Sequence, residues 1–148
     1  MRAVDLMTPL PKVVLAWDPV DKVAEIMRNY DVGAVPVVTD LSFMRPVGVI
    51  TDRDIVLRHV AAGHHCECLA EEVMTPAPLF TAEPDDDVDT LLEIMRTQKV
   101  RRVLVVSPSG RLLGIVSQAD LLLHAGPQHV SSIGRTICSI SEPIVLQR

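Results

Sequence analysis

The stretch Gly48-Val49-Ile50-Thr51-Asp52-Arg53-Asp54 returns as Gly114-Ile115-Val116-Ser117-Gln118-Ala119-Asp120, 66 residues later (114 minus 48). In both stretches a short apolar run, typical of a β-strand, ends at Thr or Ser. Either residue can cap the start of a helix, because its hydroxyl accepts a hydrogen bond from a free backbone amide. A strand followed by a helix, present twice, predicts two copies of one supersecondary unit.

Two more motifs repeat at nearly the same distance. Leu6-Met7-Thr8-Pro9 is echoed by Val73-Met74-Thr75-Pro76, 67 residues on (74 minus 7). Glu25-Ile26-Met27-Arg28 is echoed by Glu93-Ile94-Met95-Arg96, 68 residues on (93 minus 25). One copy is too small to bury its own apolar face. We therefore expect the copies to face each other across a pseudo-twofold cleft.

The hydrophobic pattern predicts the order β-α-β-β-α in each copy. Strands are expected at 12–15, 34–38 and 47–50, then at 79–81, 100–106 and 112–116. Helices are expected from Asp18-Pro19 to Gly33 and over 51–62, then from Glu83-Pro84 and over 117–124. The predicted fold class is α+β, with two tandem β-α-β-β-α repeats packed through their sheets. The predicted domains are 1–66, 67–125 and a C-terminal extension, 126–148, packed on the body or on a partner subunit.

Composition excludes several classes of protein. The chain has 148 residues, of which 48% are hydrophobic and 3% aromatic, and its formal net charge is −5. An acidic balance argues against general nucleic-acid binding, which usually needs a basic excess. No segment has the length of a membrane span or the pattern of a signal peptide. Three cysteines without a disulfide pattern favour the cytoplasm.

The repeated Met-Thr-Pro opening, the strand Val35-Pro36-Val37-Val38 and the repeated Gly-x-x-Thr/Ser-x-x-Asp motif together resemble a CBS domain pair. The resemblance covers residues 4–124. It implies a Bateman module, commonly homodimeric, whose clefts bind AMP, ADP, ATP or S-adenosylmethionine. With no enzyme or transporter attached, it also implies regulation of another protein in trans.

Asp54 and Asp120 close the two copies of the motif and are the main candidate ligand residues. A carboxylate can accept hydrogen bonds from both hydroxyls of a ribose. Thr51 and Ser117 place a hydroxyl at a helix start, which favours a phosphate. The alternative is that each Thr/Ser-x-x-Asp is only a capping box. The motif alone favours the cap, whereas the repeat and the resemblance favour the ligand.

Positive charge and an apolar slot complete the predicted nucleotide site. The resemblance places Arg101 and Arg102 opposite phosphates, while the matching positions Gly33 and Ala34 carry no charge. The adenine is expected between apolar segments that could equally be ordinary core. Their candidate residues are Val14, Val35, Pro36, Val37, Leu79, Val103 and Leu104.

Other motifs carry less chemistry. His64-His65-Cys66-x-Cys68 offers soft metal ligands, but it is too tight to close a tetrahedron comfortably, so we expect no metal there. No Walker loop, Gly-x-Gly-x-x-Gly or His-Glu-x-x-His motif is present, so we expect no enzyme. The acidic run Asp85-Asp86-Asp87 is interpreted as helix capping.

Two functions remain. The first is a regulatory module that binds an adenine nucleotide as a regulatory ligand and acts on an unknown protein target. No cofactor is assigned to it. The alternative is a ligand-independent interaction or stress-associated scaffold. Ligand stabilisation would separate them.

Overall fold

The structure is a computed structural model that describes residues 1–64 and 67–143 of the chain. The strands are β1 (Thr8–Pro9), β2 (Val14–Leu15), β3 (Ala34–Val38), β4 (Pro46–Thr51), β5 (Thr75–Pro76), β6 (Thr81–Ala82), β7 (Arg102–Val106) and β8 (Leu112–Ser117). The helices are α1 (Ala3–Leu6), α2 (Val20–Tyr30), α3 (Asp52–Ile55), α4 (Ala70–Val73), α5 (Val88–Gln98), α6 (Gln118–His124) and α7 (Val130–Ser141). A π-helical turn (Val56–Val60) follows α3, and a 3-10 turn (Pro127–His129) precedes α7.

The first-copy unit comprises Leu10–Leu79 and Gly110–Leu112. Its sheet has the strand order β2-β3-β4-β5. The β2 and β3 strands run parallel, and β3–β4 and β4–β5 are antiparallel. Alternate β3 residues, Val35 and Val37, pack into its apolar core with Val14 and Ile50. This alternation follows from the twofold side-chain period of a strand.

The second-copy unit comprises Met1–Pro9, Phe80–Ser109 and Leu113–Arg148. Its sheet has the order β1-β8-β7-β6, with β6 parallel to β7 and β1 antiparallel to β8. Helices α5 and α7 both contribute to its core, α5 through Leu91 and Met95 and α7 through Ile133. The same core includes Val103 and Val105 of β7.

The compact units divide the chain differently from the predicted boundaries at 66/67 and 125/126. Residues 1–9 lie with the second copy, because β1 pairs with β8. Residues 70–76 lie with the first copy, because β5 pairs with β4. Each Met-Thr-Pro segment thus adds an edge strand to the sheet of the other copy. The sequence did not predict these two-residue strands, since short polar segments carry no period.

Several predicted boundaries differ from the observed ones. Helix α2 ends at Tyr30 and is followed by the C-cap residue Asp31, which has a left-handed backbone (φ 51°), so it stops before Gly33. The helix predicted over 51–62 becomes π-helical at Val56, and the apolar side chains of Val56 and Val60 are exposed. A π turn adds a residue to each hydrogen-bonded ring, so it rotates the following side chains away from their α-helical positions.

The starts of the two long helices also differ from each other. Asp18 does not cap α2: it accepts a hydrogen bond from the amide of Leu15 (2.8 Å), and the N-cap position is Pro19. In the second copy α5 starts at Val88, later than predicted, and Asp87 caps it by accepting from the Thr90 amide (2.9 Å). The capping interpretation of the acidic run is therefore confirmed for Asp87.

The predicted α+β class with tandem repeats is confirmed by two mixed sheets, each covered by helices. Over the described ranges, no helix combines the length and apolar character that crossing a bilayer would require. Of the C-terminal extension, α7 lies in the second-copy unit, and Ile144, Val145 and Leu146 lie outside the described residues.

Candidate functional site

The second copy places Ser117 and Asp120 at the junction of β8 and α6. The amide and hydroxyl of Ser117 both donate to Asp120 Oδ2, each at 2.7 Å. The Asp120 amide donates back to Ser117 Oγ at 3.2 Å. Both residues are half-buried. This reciprocal pair is a capping box with Asp in the place of Glu, so the helix start is satisfied without any ligand.

The first copy builds the same junction from Thr51 and Asp54, between β4 and α3. The Thr51 amide donates to Asp54 Oδ2 (2.9 Å), and the Asp54 amide donates to Thr51 Oγ1 (3.2 Å). The other oxygen, Asp54 Oδ1, lies 3.9 Å from Arg58 Nη2. The guanidinium of Arg58 also donates to the carbonyls of Val73 and Met74. Arg58 therefore anchors the β5 segment as well as facing the cap.

A backbone hydrogen bond ties each capped helix to the start of the neighbouring strand. In the second copy the Gln118 amide donates to the carbonyl of Arg101 (3.0 Å). In the first copy the Asp52 amide donates to the carbonyl of Gly33 (3.2 Å). Arg101 is exposed, and Arg102, the first residue of β7, is half-buried. The predicted arginine pair thus lies next to the Ser117–Asp120 cap, and no side-chain charge stands at Gly33.

The predicted apolar walls are largely core. Val14, Val35 and Val37 are at most 1% exposed within the first-copy core, and Val103 is 1% exposed within the second. Pro36 and Leu104 are also buried, and Leu79 is half-buried. The core alternative raised at the sequence level accounts for the packing of the four valines. Their role as walls of a ligand site stays a prediction.

Gly48 and Gly114, the first residues of the two repeated motifs, each lie against a Met-Thr-Pro segment. A Cβ on Gly48 would collide with Met74 Sδ and lie 3.0 Å from the Thr75 carbonyl oxygen. A Cβ on Gly114 would collide with Met7 Sδ and lie 2.9 Å from the Thr8 oxygen. The space is filled by the Met-Thr-Pro segments. The repeated glycine and the repeated methionine are therefore two halves of one contact.

From the sequence, His59 is only one residue of the helix predicted over 51–62 and is not a candidate ligand. His59, His64 and Cys68 lie together in the first-copy unit, with their ligand atoms within 4.8 Å of one another. The other two members of the sequence cluster, His65 and Cys66, lie outside the described residues. The position of His59 on an α-helix was the one sequence signal that could have related it to His64. The π turn over Val56–Val60 changes that position.

Comparison with known proteins agrees with this architecture. The model of the CBS domain matches residues 3–60 and 70–126. The uncharacterized protein MK0525 of Methanopyrus kandleri is 32% identical over 126 residues, which cover 82% of this chain and 63% of that relative's length. The chain therefore belongs to the CBS domain family.

Three solved structures are similar to the chain. A CBS domain protein of Pyrobaculum aerophilum, PAE2072, complexed with AMP, is 26% identical, with TM-score 0.78 over 91% of this chain and 99% of its own. The CBS pair of MJ0100, in complex with 5-methylthioadenosine and S-adenosyl-L-methionine, is 26% identical, with TM-score 0.70 over 86% and 98%. Hypoxic Response Protein I, with two coordinated zinc ions, is 33% identical, with TM-score 0.73 over 84% and 98%.

Proposed function

We propose that this chain is a regulatory module that binds an adenosine-type ligand and acts in trans on another protein. One observation carries the proposal: an arginine pair adjoins the Ser117–Asp120 cap through the Gln118–Arg101 backbone hydrogen bond. This hydrogen bond holds the backbone of Arg101 beside the helix start that carries Asp120. We infer that the Asp120 carboxylate binds a ribose and that the guanidiniums bind phosphates at this end of the β7–β8 pair. The CBS proteins solved with AMP or S-adenosyl-L-methionine support the same ligand class.

The capping function of the aspartates does not compete with a ribose contact. The cap occupies Oδ2 of Asp54 and of Asp120, and Oδ1 takes no part in it. A cap that fixes the carboxylate also preorganises it for a ligand, which lowers the entropy lost on binding. We infer that Asp54 and Asp120 hold the sugar of two ligands, with Thr51 and Ser117 beside them.

The two copies are proposed to differ in phosphate affinity. Arg101 and Arg102 would contact the phosphates of AMP, ADP or ATP in the second copy, whereas Gly33 and Ala34 offer no charge in the first. The second copy is then the nucleotide site. The first is better suited to a nucleoside with little negative charge, such as S-adenosylmethionine. Val14, Val35, Pro36, Val37, Leu79, Val103 and Leu104 remain the proposed source of adenine contacts.

Asp-to-Glu substitutions separate the ligand function from the cap. Glu three residues after Ser is the usual partner in a capping box, so Asp120→Glu should keep the fold stable. The longer side chain displaces the carboxylate, so we expect AMP binding to weaken by about 1–3 kcal/mol in isothermal titration calorimetry. Asp54→Glu is the matched variant of the first copy and should leave AMP binding unchanged.

A second pair of measurements tests the phosphate contacts. The double variant Arg101→Gln, Arg102→Gln should weaken the binding of AMP, ADP and ATP more than the binding of adenosine. Only the phosphates form charge-assisted hydrogen bonds with the guanidiniums. If AMP, ADP, ATP and S-adenosylmethionine all fail to bind at millimolar concentration, the proposal is wrong.

The alternative is a scaffold that works without a ligand, and the complete capping boxes favour it, since they are satisfied in the absence of a nucleotide. Thermal shift discriminates the two functions. A ligand at 100 times its dissociation constant stabilises the folded state by about 2.7 kcal/mol. The lack of any shift with adenosine compounds would favour the scaffold.

Assembly and location belong to the same proposal. We propose a homodimer, because Val56, Leu57 and Val60 expose apolar surface on one unit and Leu122 and Leu123 do so on the other. We propose the cytoplasm, because the chain has three cysteines and no disulfide pattern. Sedimentation equilibrium tests the first, and cell fractionation tests the second.

A further inference from the structure

His59, His64 and Cys68 form a compact group of soft ligands in the first-copy unit. One ligand atom from each residue lies within 4.8 Å of the other two. Cys68 Sγ is 3.8 Å from His64 Nδ1. The two imidazole rings meet edge to face, with centroids 6.1 Å apart and planes at 70°. Two nitrogens and a sulfur therefore converge on one small volume.

Local backbone features bring these three residues together from separate segments. His59 lies on the π-helical turn, and π turns are frequent at functional sites. Gly63 then reverses the chain with a left-handed backbone (φ 74°), and the His64 amide donates to the His59 carbonyl (3.1 Å). Cys68 is held in the core, where its carbonyl accepts from the Val20 amide (2.8 Å). Two backbone hydrogen bonds thus hold the segments that carry these three side chains.

The Nδ1 atom of His59 supplies a second, independent observation that points to a ligand. Its Nδ1 atom is inaccessible to solvent and has no hydrogen-bond partner among the residues that the structure describes. Buried polar atoms are almost always satisfied by a partner, an ordered water or an ion. Next to a second imidazole and a thiol, a cation would satisfy this nitrogen.

We propose that His59, His64 and Cys68 bind a zinc-type transition-metal ion. Tetrahedral zinc, with Zn–S of about 2.3 Å and Zn–N of about 2.0–2.1 Å, places sulfur and nitrogen about 3.5 Å apart. The observed 3.8 Å between Cys68 Sγ and His64 Nδ1 needs only a small adjustment. Imidazole and thiolate select zinc over magnesium or calcium, which prefer oxygen. His64 is exposed, so water or another donor can reach the fourth position.

This proposal revises the sequence-level expectation that no metal binds here. That expectation considered ligands from residues 64–68 alone, which are too close in sequence to surround an ion. His59 supplies a ligand from a different segment and removes the objection. The site uses none of the residues assigned to the nucleotide, so its test is independent of the proposed function.

The test uses the full chain, purified without a histidine tag and treated with chelator. We expect the apoprotein to bind an equimolar amount of zinc in competition with a chromogenic chelator. With Co(II) in place of zinc, we expect a tetrahedral d–d spectrum and a thiolate-to-metal charge-transfer band. Cys68→Ser should abolish the charge-transfer band, because it removes the thiolate that the proposed site supplies.

His64→Gln and His59→Gln should weaken zinc binding by at least about tenfold, since loss even of an outer-shell partner costs roughly 10–100-fold. His64 is exposed, so its replacement tests binding even if the Cys68 variant fails to fold. Cys138→Ser and His124→Gln change residues outside the cluster and should bind zinc like the wild type. The proposal is overturned if the apoprotein binds no zinc or if His64→Gln binds it unchanged. It is equally overturned if His65→Gln with Cys66→Ser abolishes binding while His59→Gln does not.

Discussion

The two copies of the repeat share a helix cap but continue differently after it. In the second copy Ser117 and Asp120 open α6, which remains α-helical to His124. In the first copy Thr51 and Asp54 open α3, which gives way to a π turn after one turn of helix. The equivalent caps give both copies the same helix start. The differing continuations place a His/His/Cys cluster on one copy and not at the matching position of the other.

A second difference lies at the ends of the two long helices. Asp31 and Lys99, 68 residues apart (99 minus 31), both end their helices with a left-handed backbone. Lys99 reaches another element: its Nζ donates to the carbonyl (2.6 Å) and the hydroxyl (3.0 Å) of Ser139. A cation at the end of α7 is favoured by the helix dipole. The second copy thus uses an equivalent position to fasten an additional helix.

The largest expected effect tests that additional helix. Ile133 of α7 is 1% exposed in the second-copy core. Ile133→Ala should lower the free energy of unfolding by about 2–5 kcal/mol in urea denaturation, because it leaves a cavity among α5 and α7. Val130→Ala, on the exposed side of α7, should change it by less than about 0.5 kcal/mol. Equal effects of the two variants would mean that α7 does not pack as described.

The next effect tests whether the copies share the glycine–methionine contact. Gly48→Ala and Gly114→Ala should each destabilise by about 1–3 kcal/mol, since the added methyl group meets methionine sulfur and a backbone oxygen. Gly134→Ala is the matched control: nothing lies within 4 Å of its added carbon, and alanine favours the helix by about 0.5–1 kcal/mol. Thermal unfolding measures all three. If Gly48→Ala stabilised the protein, the glycine–methionine contact would not be equivalent in the two copies.

The smallest effect distinguishes the starts of α2 and α5. The Thr90 amide and hydroxyl donate to Asp87, and these hydrogen bonds lower the pKa of its carboxyl below the ordinary value of about 3.9. A carboxyl whose pKa is lower in the folded state stabilises the protein at pH values above its ordinary pKa. This stability is lost as the pH falls through the pKa of the folded state. Asp87→Asn should therefore reduce the loss of melting temperature on acidification from about pH 5 to pH 2.

Asp21→Asn serves as the control for that measurement, because it removes the same charge from the first turn of α2, whose N-cap is Pro19. We expect its acid profile to follow that of the wild type more closely than Asp87→Asn does. The reverse order would show that the Asp87 cap is unimportant in solution.

The amino-acid sequence by itself determined the repeat, the α+β class, the family and the longest elements. The strand Ala34–Val38 agrees with its prediction, and the Thr51–Asp54 and Ser117–Asp120 caps were recognisable from their spacing. These features depend on neighbours within a few residues, where period and capping chemistry are visible. The repeat showed in addition that these strand and capping motifs belong to a duplicated supersecondary unit.

Only the tertiary structure decided which copy each Met-Thr-Pro segment joins, why Gly48 and Gly114 recur, and how His59 meets Cys68. The glycines are explained by methionines that are distant in sequence, Met74 and Met7. His59 reaches its neighbours through a π turn that no hydrophobic period indicates. Each of these depends on contacts between segments that are separated along the chain, and such contacts arise from packing rather than from local propensity.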